Sequence, residues 1–122
     1  MADDKLPVDL NQMFELARAG ADLLLEFVDA GVPVDHADAH GNTLLMLAAY
    51  HGHADLVRGL ARRGADVNRL NERGQSPLAG AVFKGDPHVI DVLVEAGADV
   101  DAGRPSARTT AEMFGQPVPG ES

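Results

Sequence analysis

Apolar residues recur along this chain at helical intervals, in short runs closed by glycine. Leu10, Met13, Phe14 and Ala17 lie three or four residues apart, after Asp9 and before Gly20. That spacing predicts an amphipathic helix whose first turn is capped by the aspartate. Leu23, Leu24, Phe27 and Val28 predict a second helix, from about Asp22 to Gly31. Leu45, Leu47 and Ala48 follow Thr43, a capping residue, and run to Gly52. Leu56, Val57 and Leu60 predict a fourth helix that stops at Gly64, with Arg62 and Arg63 placed to meet the negative end of its dipole. Ser76-Pro77 and Asp86-Pro87 each pair a cap with a proline at the first helical position. The helix after Asp86 is built on Val89, Ile90, Leu93 and Val94. Gly80 interrupts the helix before it, at a cost of about 1 kcal/mol relative to alanine, so this stretch is expected to be locally softer.

The pattern repeats. With Gly41 placed on Gly74, Thr43 falls on Ser76, Leu45 on Leu78, Ala48 on Ala81 and Gly52 on Gly85, and the matches continue through Leu60 on Leu93 to Val67 on Val100, always 33 residues apart. A fixed period of this size marks a stack of helical units, each burying its apolar face on the next. Units are therefore expected at 9–35 (an N-terminal capping unit), 36–68 and 69–101 (full units) and 102–117 (a half unit), within one domain over 9–117. The first unit departs from the rest: Gly20 to Gly31 spans 11 residues where Gly52 to Gly64 spans 12. In the last unit the constant offset puts Thr109 on Ser76 and predicts a short helix from Thr110 to about Gly115, which lids the stack. Pro117 and Pro119 forbid a second helix there. Residues 1–8 are expected to be a flexible terminus and 118–122 a disordered tail.

The residues of the period resemble the ankyrin repeat. One copy reads Asp38-Ala39-His40-Gly41-Asn42-Thr43-Leu44-Leu45-Met46-Leu47-Ala48-Ala49-Tyr50-His51-Gly52-His53 and closes with Gly64-Ala65-Asp66-Val67-Asn68. The next has Gly74-Gln75-Ser76-Pro77-Leu78 and closes with Gly97-Ala98-Asp99-Val100-Asp101. The resemblance implies an all-α solenoid of paired antiparallel helices with β-hairpin-like finger loops. It also implies a non-catalytic scaffold that binds a partner protein through a concave groove and its fingers, as an adaptor, inhibitor or assembly factor. The family's Thr-Pro-Leu-His tetrad is Thr43-Leu44-Leu45-Met46 in one copy and Ser76-Pro77-Leu78-Ala79 in the other, so its histidine is missing twice.

Composition narrows the partners. Acidic residues number 19 against 10 basic, a net charge of -9. Such a balance lacks the clustered cations that phosphates need, so nucleic acid and an anionic membrane surface are not expected as partners. Zero cysteines leave no disulfide or thiolate chemistry, which fits a cytoplasmic protein. No start-of-chain apolar run has a signal-peptide pattern, and no run reaches the roughly 20 residues of a membrane helix.

By resemblance, contact residues are carried onto Ala39, His40, Asn42, Tyr50 and His51 of one full unit and Glu72, Arg73, Gln75, Phe83 and Lys84 of the other. Arg18 takes the matching place in the first unit, and Arg104 and Arg108 in the last. Tyr50 and Phe83 lie one period apart and are expected side by side, either exposed on the groove or packed on the next unit; exposed aromatics make good interface anchors. His36 and His40, and His51 and His53, have close spacing, but no third ligand joins them, so no metal or other cofactor is expected. Asp99 and Asp101 could be offered as an acid–base pair, yet no nucleophile or phosphate loop accompanies them, and no enzyme is expected. Self-association through the end faces of so short a stack is the alternative function.

Overall fold

The computed structural model describes residues 9–121, so the expected flexible segment 1–8 lies outside the described residues. Seven helices follow in order: α1 (Leu10–Ala19), α2 (Leu23–Asp29), α3 (Leu44–Tyr50), α4 (Ala54–Arg62), α5 (Pro77–Lys84), α6 (Pro87–Glu95) and α7 (Ala107–Met113). The first three units each contribute a hairpin of two helices and the last contributes α7 alone, and the units stack so that the helices form two layers. The first helices make one layer, α1 on α3 on α5 on α7, and α2, α4 and α6 make the other. No strand forms among the described residues. The finger loops close instead on isolated antiparallel bridges, Ala37 with Thr43 and Gly103 with Ser106.

The caps read from the sequence are formed at α1, α3, α5 and α6. Asp9 accepts from the Asn11 N–H, Thr43 from Met46, Ser76 from Ala79, and Asp86 from both His88 and Val89. Asp22 stands at the start of α2 without a side-chain capping bond. The core runs unbroken through the stack. Met13, Leu24, Leu45, Leu56, Leu60, Leu78, Leu93 and Ala111 are all essentially inaccessible. In α3 every residue from Leu44 to Ala49 is buried, because this helix has neighbours on both sides as well as α4 behind it.

Neighbouring units are also joined by polar contacts at repeating positions. Asp35 accepts from the backbone N–H of Asp66, and Asn68 from that of Asp99, at 2.9 and 2.7 Å. Arg63 donates to both carboxylate oxygens of Asp29, at 2.8 and 3.0 Å, a two-pronged pairing that holds that carboxyl below its usual range. The imidazole Nε2 of His53 lies 2.6 Å from the carbonyl oxygen of Arg18. That contact depends on Gly20, whose φ is +71° and whose missing Cβ would stand 2.4 Å from the His53 ring.

The C-terminal unit differs from expectation in two ways. Its helix starts at Ala107 and is capped by Ser106, which accepts from the Thr109 N–H, rather than starting after Thr109. Gly103 does lie 33 residues beyond Leu70, so the offset is kept up to that point. Only Arg104 and Pro105 then separate the bridged pair Gly103 and Ser106, where five residues separate Ala37 from Thr43. The finger has thus lost three residues, and everything after it is three places early. Gly103 makes the tight turn feasible: a Cβ there would lie 2.9 Å from the Gly74 carbonyl oxygen.

The second difference is the tail. The expectation of disorder from Val118 does not hold for the described residues 118–121. Val118 packs on the core, Pro119 is buried, and Glu121 meets Arg108 at 2.8 Å. Residues 116–121 lie along α6, opposite Ile90 and Val94, where an eighth helix would stand. Prolines stop a helix but do not oppose burial, and an extended proline-rich segment gives up little entropy when it is laid down.

Two glycines make opposite predictions. Alanine at Gly20 must take the left-handed conformation and push the His53 ring away, so Gly20→Ala is expected to cost at least about 1 kcal/mol. At Gly80, inside α5, an added Cβ makes an ordinary 3.9 Å contact with the Tyr50 ring. Gly80→Ala is therefore expected to add up to about 1 kcal/mol from helix propensity. Urea denaturation of the two variants checks both signs; equal shifts in the same direction would contradict the packing described.

Candidate functional site

The fingers and the C-terminal ends of the first helices carry the exposed rings and most of the contact residues expected from the sequence. In the finger of residues 38–42, Asp38 Oδ1 accepts from the backbone N–H groups of His40 and Asn42, at 2.9 and 3.0 Å. One period later Asn71 Oδ1 accepts from Arg73 and Gln75 at the same two distances. An aspartate and an asparagine thus do one job, since each offers an oxygen that ties the loop to itself. The fingers are then joined to each other. The Glu72 N–H donates to the His40 carbonyl at 3.0 Å, and Asn71 Nδ2 donates to Asn42 Oδ1 at 2.9 Å.

This brings five of the expected contact residues together. His40, Asn42, Glu72, Arg73 and Gln75, with Asn71, line one cleft of about 250 Å³. Ala39 is exposed beside His40 on the same finger. Asn42 and Gln75 are partly committed, one to Asp38 and Asn71 and the other to Asn71, whereas His40, Glu72 and Arg73 keep their side chains free of hydrogen bonds among the described residues.

A second group forms where α3 and α5 end. Tyr50, His51 and Lys84 line a shallow depression, and Phe83 stands next to Lys84. Tyr50 is 47% exposed and Phe83 63%, so each points out of the stack and neither is consumed by packing on the next unit. Lys84 Nζ sits 4.5 Å from the Tyr50 ring centroid, a cation–π contact, and His51 meets the same ring edge-on. Burial first, and then the positive charge of His53, Lys84 and Arg18, hold the His51 imidazole below its ordinary pKa. Arg18 is therefore close enough to be felt here, although its guanidinium pairs with Glu15 at 3.1 Å.

The sequence reading missed two members of this group. Met113 and Phe114 are 69% and 50% exposed at the end of α7. Phe114 meets Phe83 edge-to-face, with ring centroids 5.8 Å apart. Once the three-residue loss is allowed for, Met113 is the counterpart of Tyr50 and Phe83, and Phe114 of His51 and Lys84. The run Gly103-Arg104-Pro105-Ser106, a Gly/Pro turn just before a serine cap, was the sequence signal that could have found them.

The same correction removes Arg108 from the fingers. It is the second residue of α7, and it binds Asp101 at 2.7 Å and Glu121 at 2.8 Å, which raise its pKa above the ordinary value. Its role is to fasten the tail. Arg104 is exposed in the shortened turn, with its N–H on the Gly74 carbonyl and no ion pair among the described residues. Asp66 and Asp99 each accept from the backbone two residues on, at 2.9 Å, which makes them turn-forming groups. Asp101 is occupied by Arg108 and is not free to pair with Asp99 as an acid and base. Among the described residues no three histidine or carboxylate side chains converge as metal ligands, and no helix is long and apolar enough to cross a membrane.

Comparison with known proteins agrees with this geometry. The family model described as Ankyrin repeats (3 copies) matches residues 13–104. The chain is 48% identical over 50 residues to the ankyrin repeat protein PA3287 of Pseudomonas aeruginosa, a match covering 40% of this chain and 29% of that one. It is 50% identical over 52 residues to the human ankyrin repeat domain-containing protein 29, covering 41% of this chain and 17% of that one. The matched stretch is thus under a third of either relative's length.

Asp38 sets a pH dependence for the first of these fingers. Burial pushes its carboxyl up, but the N–H groups of Asn42 and His40 and the Asn42 side chain outweigh this and hold it below its ordinary 3.8. A carboxyl depressed in the folded state adds stability above that ordinary value and loses it as pH falls through the folded one. Asp38→Asn, which copies Asn71, is expected to keep the finger and to remove this loss below about pH 4. Asp38→Ala is expected to cost about 1 kcal/mol at neutral pH. Denaturant titrations at pH 3 and pH 6 separate the two; an Asn variant as acid-sensitive as the parent would refute the assignment.

Proposed function

This chain belongs to the ankyrin repeat family, and from that premise we propose that it is a non-catalytic scaffold that recognises a partner protein along the ends of its first helices and its fingers. Ankyrin repeats are generally protein-interaction modules, and the finer reading rests on one observation. Tyr50, Phe83, Met113 and Phe114 form a row of exposed rings and a thioether on successive units, while the other large apolar side chains of α3, α5 and α7 are buried. A soluble domain that leaves such a row uncovered is marked for association, and aromatic side chains with long apolar neighbours are the usual anchors of an interface. The fingers beside it supply charged groups that give orientation rather than energy. Acting by binding alone, the protein would serve as an adaptor, an inhibitor or an assembly factor in the cytoplasm.

Self-association through the end faces of the stack is the alternative; residues 116–121 lie over α6 at the C-terminal end, which leaves the N-terminal face for it.

The double variant Tyr50→Ala, Phe83→Ala tests the reading. Both side chains are exposed, so the helical circular dichroism signal is expected to persist. Affinity for a partner recovered from native lysate is expected to fall at least about tenfold for the loss of two anchor residues. An unchanged affinity would exclude the row as the contact surface.

A further inference from the structure

The charged side chains are sorted between the two layers. The first helices carry Arg18, Lys84 and Arg108 against Glu15 and Glu112, and α3 has no charged residue. The second helices carry Glu26, Asp29, Asp55, Asp91 and Glu95 against Arg58 and Arg62. Within the helices the excess acid is therefore on the layer away from the row of anchors, and the rest of the net negative charge lies in the loops and fingers. Beside the row stand cations that no carboxylate pairs with among the described residues. Lys84 rests on the Tyr50 ring and has no ion-pair partner among the described residues. Arg73 and Arg104 stand on the fingers of the same side without ion-pair partners among the described residues, and the fourth such group, His51, gains charge on protonation. Of the acidic groups nearby, Glu15 is engaged by Arg18, and Asp86 by the backbone of α6. Asp38 is held likewise by the backbone of its finger, and Glu72 and Glu112 have no ion-pair partner among the described residues.

Resting on the scaffold reading above, we propose that the partner element is an acidic amphipathic helix whose apolar side chains seat on Tyr50, Phe83, Met113 and Phe114 and whose flanking carboxylates meet Lys84 and Arg73. Neighbouring helices pack roughly 10 Å apart, so the three anchor positions on α3, α5 and α7 span about 20 Å. A helix crosses that distance in about 13 residues, and its residues i and i+7 lie about 10.5 Å apart on one face, which matches the step between units. The overall negative charge does not oppose this contact. At physiological salt the acidic layer is screened beyond about 8 Å, while the cations at the row act at contact distance.

The test is a selection of random displayed peptides, about 16 residues long to cover the span, on the immobilised full chain. One representative peptide is then synthesised for titration. The expected result is enrichment of net-negative sequences with apolar residues seven apart. Binding should weaken with added salt and fall about tenfold or more with Lys84→Glu, an exposed substitution that leaves the fold intact. Recovery of neutral or basic peptides that still need Tyr50 and Phe83 would overturn the acidic partner and leave the scaffold reading standing. Recovery of no peptide, or of peptides that bind the Tyr50→Ala, Phe83→Ala variant equally well, would overturn both.

Discussion

The close contact of the first helices is what everything else in this molecule rests on. Ala48, Ala81 and Ala111 fall at corresponding places on α3, α5 and α7, and all three are fully buried. A small side chain at each crossing lets the next helix approach, and larger residues such as Leu45 and Leu78 then fill the space behind it. Contacts reach only from one unit to the next, so the stack has no single central core and each unit is folded on its neighbour's surface. The polar links obey the same rule. Asp35 to Asp66 and Asn68 to Asp99 are one bond repeated, and the pairing of Asp29 with Arg63 ties the first unit to the second.

Most of the stack was legible in the sequence because its period is a list of steric requirements. Thr43 and Ser76 must cap, the buried alanines must be small, and a glycine must turn the chain after each first helix. These demands recur at fixed distance, so one copy interprets the other. The ends were less legible because a fixed offset is blind to a shortened loop. Gly103 keeps the offset and Ser106 does not, and the missing three residues lie between them. The phase error moved the cap to Thr109, placed Arg108 on a finger and hid Met113 and Phe114. The tail was misjudged for another reason: prolines were read only as helix breakers, whereas Pro119 is buried against the stack.

The two parts of the candidate site differ in the same way. Tyr50 and Phe83 could be paired from sequence because they share a place in the period. The bonds that fix the fingers could not, since they depend on Asp38 and Asn71 being interchangeable acceptors, which is apparent only when both oxygens are seen on the same two backbone groups. Net charge was a poor guide to the surface. The total of -9 is real, but most of it lies outside the helices, and the two helix layers differ in balance, with the exposed rings on the less acidic one.

The lost finger residues give the molecule a direction. The row of helix ends continues through α7, while full-length fingers stop one unit earlier. Under the proposed reading, a partner lying along the row meets full-length fingers beside α3 and α5 and a shortened turn beside α7. Turning that partner end for end would bring different groups against Arg104 and the Phe83–Phe114 pair. The footprint is a vector rather than a stripe, and an element that fits it in one sense is distinguished from the same element reversed.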